Sequence, residues 1–305
     1  MEYQNIIYSV SEGIATIRLN RTEALNALNS AVNRELMAAI EEVKGNSEVR
    51  VVIVTGSEKA LAAGADVKEM AEATPRFARD FCKPAIDIND TLEKLPVPVI
   101  AAVGGFAFGG GCELALACDF RVGGPRTLMS FPEVGLGIIP GANGCERAAA
   151  ILGPAKAKQL VMLTEMIPGK QAYELGLLNW FVKGDESLDE AAASSKEQLK
   201  LAKKEGNEER IAKLKNESKA AESAAAKAEY DAIYAKAVEI AKMLTSKPAC
   251  ALAAAKAVIN KTVTETVAAG KQQETAEFAL LFNTHDQKEG MKAMIEKRKP
   301  EFTNS

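Results

Sequence analysis

Two stretches constrain the fold more than any other part of the chain: VRVVIVTG, from Val49 to Gly56, and PVIAAVGG, from Pro98 to Gly105. Each is a short apolar run closed by glycine, and so reads as a strand buried on both faces. Apolar residues at helical spacing run between them, from about Val67 to Leu95. Strands that alternate with helices make an α/β core. Upstream, residues 6–19 (IIYSVSEGIATIRL) read as a hairpin turning at Glu12-Gly13. Ser30 reads as the N-cap of a helix through Val43, with Leu36, Ile40 and Val43 on one face. FRVGG and TLMSF read as two further short strands.

From about Cys145 the strand signals fade into helical ones. The composition then shifts to Ala, Lys and Glu from Ser187 to Leu244, with few large apolar residues and a break at Glu205–Asn207. That pattern predicts two long, mostly solvated helices reversing at Gly206 and Asn207, with Ile211 and Leu214 in a thin apolar seam. So little burial makes the hairpin a peripheral arm. A last helical section runs from Pro248 to Lys299. The organisation is therefore a core over 1–186 bearing the active site, a helical hairpin over 187–245, and a C-terminal helical region over 246–305.

Composition excludes several classes. The chain has 305 residues, 47% of them hydrophobic, enough for one large core. A formal net charge of -3 gives no global attraction to nucleic acid or anionic lipid. Its five cysteines are scattered without a CxxC pair, which suits reduced thiols in the cytoplasm. No apolar stretch reaches the roughly 18 residues of a membrane helix, and the N-terminus lacks a secretion signal. The single histidine, His285, lies in the polar stretch FNTHDQKEG and reads as an exposed loop residue. A Ser-His-Asp triad would have to use it, and a multi-histidine zinc site is excluded; no metal is expected.

The chemistry gathers at three glycine-rich points. In FGGGCELALACDF, Phe108 to Phe120, a glycine triplet separates a strand from a helix and brings backbone N–H groups close to a ligand at the positive end of that helix. It is neither a dinucleotide fingerprint nor a Walker motif, so an oxyanion hole is the favoured use over phosphate binding. Close packing of helix on strand is the plain alternative. LAAGADVKEM, Leu61 to Met70, offers a second backbone donor or simply a turn capped by Asp66. Glu113 stands in the first turn after the triplet, and Glu133 lies in SFPEVGLGIIPGANG among apolar and glycine neighbours. Singly, each acid is ordinary. Together, beside two anion-stabilising backbone points, they suit proton transfer next to a developing oxyanion, with one water held between them.

These segments resemble the crotonase superfamily, and its enoyl-CoA hydratases in particular. NRTEALNAL resembles the family's N-terminal substrate loop, KALAAGADVKEM its first oxyanion segment and PVIAAVGGFAFGGGCELALACD its second. FPEVGLGIIPGANG resembles the segment carrying the second acid, and HDQKEGMKAMIEKRKPEF the C-terminal segment that closes over coenzyme A. The resemblance implies a core of repeated ββα turns, a C-terminal helical trimerisation region, and a homotrimer or homohexamer. By position it gives Ala63 and Gly110 the oxyanion N–H groups, Glu113 the orientation and deprotonation of water, and Glu133 the proton for Cα. Ala24, Gly64, Ala65 and Asp66 would line the coenzyme A path, Lys297 would meet its nucleotide end, and Phe278 would stand near the acyl tail. No separate cofactor is implied, since coenzyme A arrives as part of the acyl-CoA substrate. The implied activity is hydration of a 2-enoyl-CoA in fatty acid metabolism, as in β-oxidation. Isomerase, hydrolase or cyclic dienoyl-CoA hydratase chemistry is the nearby alternative, and a non-catalytic, RNA-associated member of the fold the distant one. Isomerases of this superfamily often lack one acid, so two favour hydration. The chain departs from the family pattern at Thr22 and Glu23 in the substrate loop, and at Gly104, Asn143, Cys145 and Glu165. It is also longer than the norm in the Ala/Lys/Glu region.

Overall fold

The computed structural model describes residues 2–70, 74–206, 208–265, 273, 274, 276, 278, 280, 281 and 283–305. Asn207 and part of both the 67–95 and 248–299 stretches lie outside these residues.

The two apolar runs become neighbouring parallel strands, β3 (Val51–Thr55) and β5 (Val99–Val103), with every residue of both buried. The hairpin β1 (Ile6–Ser11) and β2 (Ile14–Leu19) turns at Glu12 and Gly13, both at positive φ, and pairs in parallel with β3. β7 (Phe120–Gly123) and β10 (Trp180–Phe181) complete a six-stranded sheet in the order β1-β2-β3-β5-β7-β10. Each of β3, β5 and β7 is followed at once by a short strand of a second sheet: β4 (Ala60–Ala62), β6 (Phe106–Phe108) and β8 (Leu128–Ser130). With β9 (Ile167–Pro168) they form the order β4-β6-β8-β9. The chain thus gives one strand to each sheet and then a helix, turn after turn, which is the ββα spiral the family resemblance implied.

The helices enter where the sheets end. α1 (Ser30–Gly45) buries Leu36, Ile40 and Val43, but its N-cap is Asn29, whose side chain accepts from Val32 N, rather than the expected Ser30. α2 (Val67–Met70) and α3 (Pro75–Lys94, capped by Thr74) occupy the stretch between β4 and β5. α4 (Gly110–Leu116) follows β6 directly, and α5 (Gly144–Leu152), α6 (Pro154–Met162) and α7 (Gly169–Leu175) precede β10.

The Ala/Lys/Glu region forms α8 (Glu186–Glu205) and α9 (Glu208–Thr245), with Gly206 left-handed between them. Only the outer part is an arm. Ile233, Ala237, Ile240 and Ala241 of α9 are buried against Ile14, Val51, Ile53, Ile100 and Val122 of the large sheet. Tyr230 donates to Gly56 O, and buried Glu229 holds Arg126, which also pairs with Asp189 of α8. The inner part of the 187–245 hairpin therefore packs into the core of 1–186. Small alanines on the buried stripe of α9 disguise this in the sequence. α10 (Ala249–Thr264) is tied to the core by Lys256, whose Nζ contacts Asp119 Oδ2 at 2.7 Å. A further helix spans His285–Glu296, and His285 opens it rather than sitting in a loop.

Candidate active site

Glycine brings the pieces of the site together because side chains would keep them apart. Gly109 is the N-cap of α4 at φ 48 and ψ -120, a backbone conformation that suits glycine. A Cβ there would stand 2.5 Å from Glu133 Oε1 and 3.7 Å from Gly64 Cα. A Cβ on Gly110 would stand 3.7 Å from Ala65 N and 3.9 Å from Glu113 Oε2. Those distances place Gly64, Ala65, Gly109, Gly110, Glu113 and Glu133 around one point.

The first segment is held by a parallel bridge between Leu28 and Ala65. Leu28 N donates to Gly64 O, and Asp66 N donates to Leu28 O. The bridge uses the groups on either side of Ala65, so the Ala65 N–H itself points away from it. This corrects one assignment: the Ala63 N–H donates to Leu25 O at 3.0 Å and is already engaged. Among the described residues the Ala65 N–H has no acceptor, and neither has that of Gly110, one of the orphan donors of a helix first turn. Ala65, expected along the coenzyme A path, is thus the N–H that faces Gly110.

The two acids differ in how they are held. Glu113 is 3% exposed, and its Oε1 accepts from Ala142 N at 2.7 Å and Gly144 N at 3.0 Å. Oε2 is the oxygen left toward Gly110. Glu133 opens a short 3₁₀ turn after β8, and its Oε2 is buried without a hydrogen-bond partner among the described residues.

Other chains share the pattern. The sequence profile of the enoyl-CoA hydratase/isomerase family matches residues 9–233 and 225–305. The chain belongs to the enoyl-CoA hydratase/isomerase family. A crotonyl-CoA hydratase from Syntrophomonas wolfei is 34% identical over 303 residues, covering 99% of both chains. A short-chain-enoyl-CoA hydratase from Clostridium acetobutylicum is 35% identical over 302 residues, covering 99% of this chain and 98% of its own. The crystal structure of an enoyl-CoA hydratase from Bacillus anthracis superposes with a TM-score of 0.79 at 30% identity, over 99% of this chain and 100% of that one.

In this family member the electrostatics follow from burial. Burial raises the Glu113 carboxyl above its ordinary range, and the bonds from Ala142 and Gly144 partly offset that. Burial pushes Glu133 up to about 7, and the nearby charge of Glu113 adds to the rise. A carboxyl that titrates near neutrality, with one oxygen unengaged, can give or take a proton at working pH.

The remaining expected residues are less central. Ala24 lies in a 3₁₀ turn of the loop that packs on the first segment through Leu25 and Leu28. Asp66 caps Lys68 N, and its carboxylate is bound by Arg21 Nη1 at 2.7 Å, which keeps it ionised below its usual range. Arg21 and Asp66 thereby lock the Arg21–Leu28 loop to the Leu61–Met70 segment. Lys297 is exposed just past the His285–Glu296 helix, at φ 54. Phe278 is 64% exposed. Missed from the sequence were Ala142 and Gly144 as the donors that hold Glu113. Their signal was GANG, where Asn143 takes φ 67 between them.

Proposed function

We propose that the chain catalyses reversible syn addition of water to a 2-enoyl-CoA, giving a 3-hydroxyacyl-CoA. The reading is carried by one observation: the buried carboxyl of Glu113 and the half-buried one of Glu133, whose Oε2 is buried without a partner, stand beside two N–H groups that have no acceptor among the described residues. The Ala65 and Gly110 N–H groups grip the thioester oxygen and stabilise the enolate-like charge that builds there as water attacks C3. Glu113, oriented by Ala142 and Gly144, takes the proton from the attacking water. Glu133, protonated near neutral pH, gives a proton to Cα on the same face. Both acids serve one water from one side, which accounts for syn addition. The names of the relatives and both acids support hydration over double-bond migration.

The substrate arrives as its coenzyme A thioester, whose nucleotide end runs past Gly64, Ala65 and Asp66 toward Lys297. Assembly is as a homotrimer or homohexamer. In support, Leu136, Ile138 and Ile139 after Glu133, and Met162, Leu163 and Met166 at the end of α6, are exposed apolar side chains that a second copy would cover. The five free cysteines suit a reducing cytoplasm, and the short-chain relative suits a β-oxidation-type step. A panel of 2-enoyl-CoA thioesters tests the reading, with loss of the conjugated thioester absorbance and product identification as readouts. Formation of 3-hydroxyacyl-CoA supports it. Double-bond migration, or release of free coenzyme A without hydration, refutes it.

A further inference from the structure

We infer that Asn89, on α3, is a positioning residue for Glu113: together with Arg147 it clamps the carbonyl of Ala142 and so holds the loop whose N–H groups aim the carboxylate. The inference rests on the reading of Glu113 as the base that works on water, and adds what sets its direction.

Asn89 is 3% exposed, and its Nδ2 donates to Ala142 O at 3.0 Å in a buried bond between α3 and the loop. Arg147 Nη1 donates to the same oxygen at 3.3 Å. The guanidinium is itself fixed by α3, with Nη2 2.9 Å from Asp90 Oδ1 and 2.6 Å from Glu93 Oε2. Ala142 supplies one N–H to Glu113 Oε1, and Gly144 supplies the other. Asn143 between them is left-handed, which turns both N–H groups onto one oxygen, much as an anion-binding nest does. Asparagine tolerates that conformation, and its Nδ2 reaches Asp90 Oδ1 at 3.4 Å. On the near side, a Cβ on Gly141 would stand 2.7 Å from Cys82 Sγ, so the loop lies flush on α3 there too. α3 therefore meets residues 141, 142 and 143 in succession through Cys82, Asn89 and Asp90.

This arrangement decides which oxygen of Glu113 does chemistry. With Oε1 held by two N–H groups, Oε2 faces Gly110. If the loop relaxes, the carboxylate can rotate and the water it holds moves with it. The titratable and charged groups facing Glu113 are Arg147, Glu146 and Cys145 from α5, Cys82 from α3, Cys112 from its own helix and Glu133 from the segment after β8. The two N–H bonds favour its ionised form against burial.

Asn89→Leu keeps the volume and removes the donor. A misplacement of about 1 Å costs about 10²-fold, so a fall in kcat of about 10- to 100-fold is expected with crotonyl-CoA. KM should stay within about two-fold, because the thioester contacts are untouched. The acid limb of the kcat profile should move to higher pH, because Glu113 loses N–H bonds that favour its charge. Asn89→Ala removes the same donor without added shape and decides the matter if the leucine variant does not fold. Circular dichroism and gel filtration report folding and assembly. A folded variant that merely melts earlier, with wild-type kcat and an unmoved acid limb, overturns the inference. Glu113→Gln is measured alongside. Near-normal turnover there removes the base itself, whereas an inactive Glu113→Gln with unaffected Asn89 variants removes only the positioning role.

Discussion

Gly109→Ala tests the geometry of the site with one methyl group. The added Cβ would lie 2.5 Å from Glu133 Oε1, whereas ordinary contacts begin at 3.4 Å, so the carboxylate must retreat by about 0.9 Å. A misplacement of that size costs about 10²-fold in rate, or about 2.7 kcal/mol of transition-state stabilisation. The backbone adds a second penalty, because alanine at φ 48 and ψ -120 is strained by about 1–3 kcal/mol. Gly176→Ala separates the two effects. Gly176 is also left-handed, at φ 85, but a Cβ there meets nothing within 4 Å. Both variants should melt earlier than the parent, and only Gly109→Ala should lose kcat for crotonyl-CoA hydration at saturating substrate. Near-parental kcat in Gly109→Ala, or an equal loss in Gly176→Ala, would refute the placement of Glu133 against the start of α4.

Glu113→Gln and Glu133→Gln should each lower kcat by about 10²–10⁴-fold without unfolding the protein, and the double variant should fall short of the product because both serve one water; near-normal turnover in either single variant removes that residue from the mechanism. Glu133 titrates at about 7 in the fold, above its ordinary range near 4.5, so the native state holds the extra proton between these values and stability drops as pH rises through that window. Glu133→Gln should accordingly melt above the parent at pH 8, by a margin that vanishes near pH 4, and equal melting temperatures throughout would contradict the raised carboxyl. In the parent the hydration rate should decline above about pH 7 as Glu133 loses the proton it delivers. Replacing residues 191–228 with a short Gly/Ser link should leave a folded, active protein, since Asp189 and Glu229 at either end of the cut both hold Arg126; a folded, correctly assembled deletion with no activity would show that the arm belongs to the catalytic apparatus.

What the chain discloses before folding depends on how local the cause is. β3 and β5 are legible because their burial is complete and written in consecutive side chains. The glycine triplet and both glutamates are legible because such residues are costly in an apolar setting without a use. Which N–H of the Leu61–Met70 segment is left without an acceptor is not legible. Whether the Ala63 or the Ala65 N–H is free depends on which of them donates to the Leu25–Leu28 loop, a contact between segments far apart in sequence. The same holds for Asn89, whose partner is Ala142 O, 53 residues on. The inner half of α9 escapes for another reason. Alanine carries little hydropathic signal, yet Ala237 and Ala241 are fully buried because they let the helix lie close on the sheet.

The most direct measurement runs the reaction with crotonyl-CoA in deuterium oxide and determines the product by mass spectrometry and proton NMR. The account predicts 3-hydroxybutyryl-CoA carrying one solvent deuterium at Cα, on the same face as the new hydroxyl, because Glu113 and Glu133 work on one water from one side. Anti addition, or a folded and assembled protein that leaves crotonyl-CoA unhydrated, would contradict it.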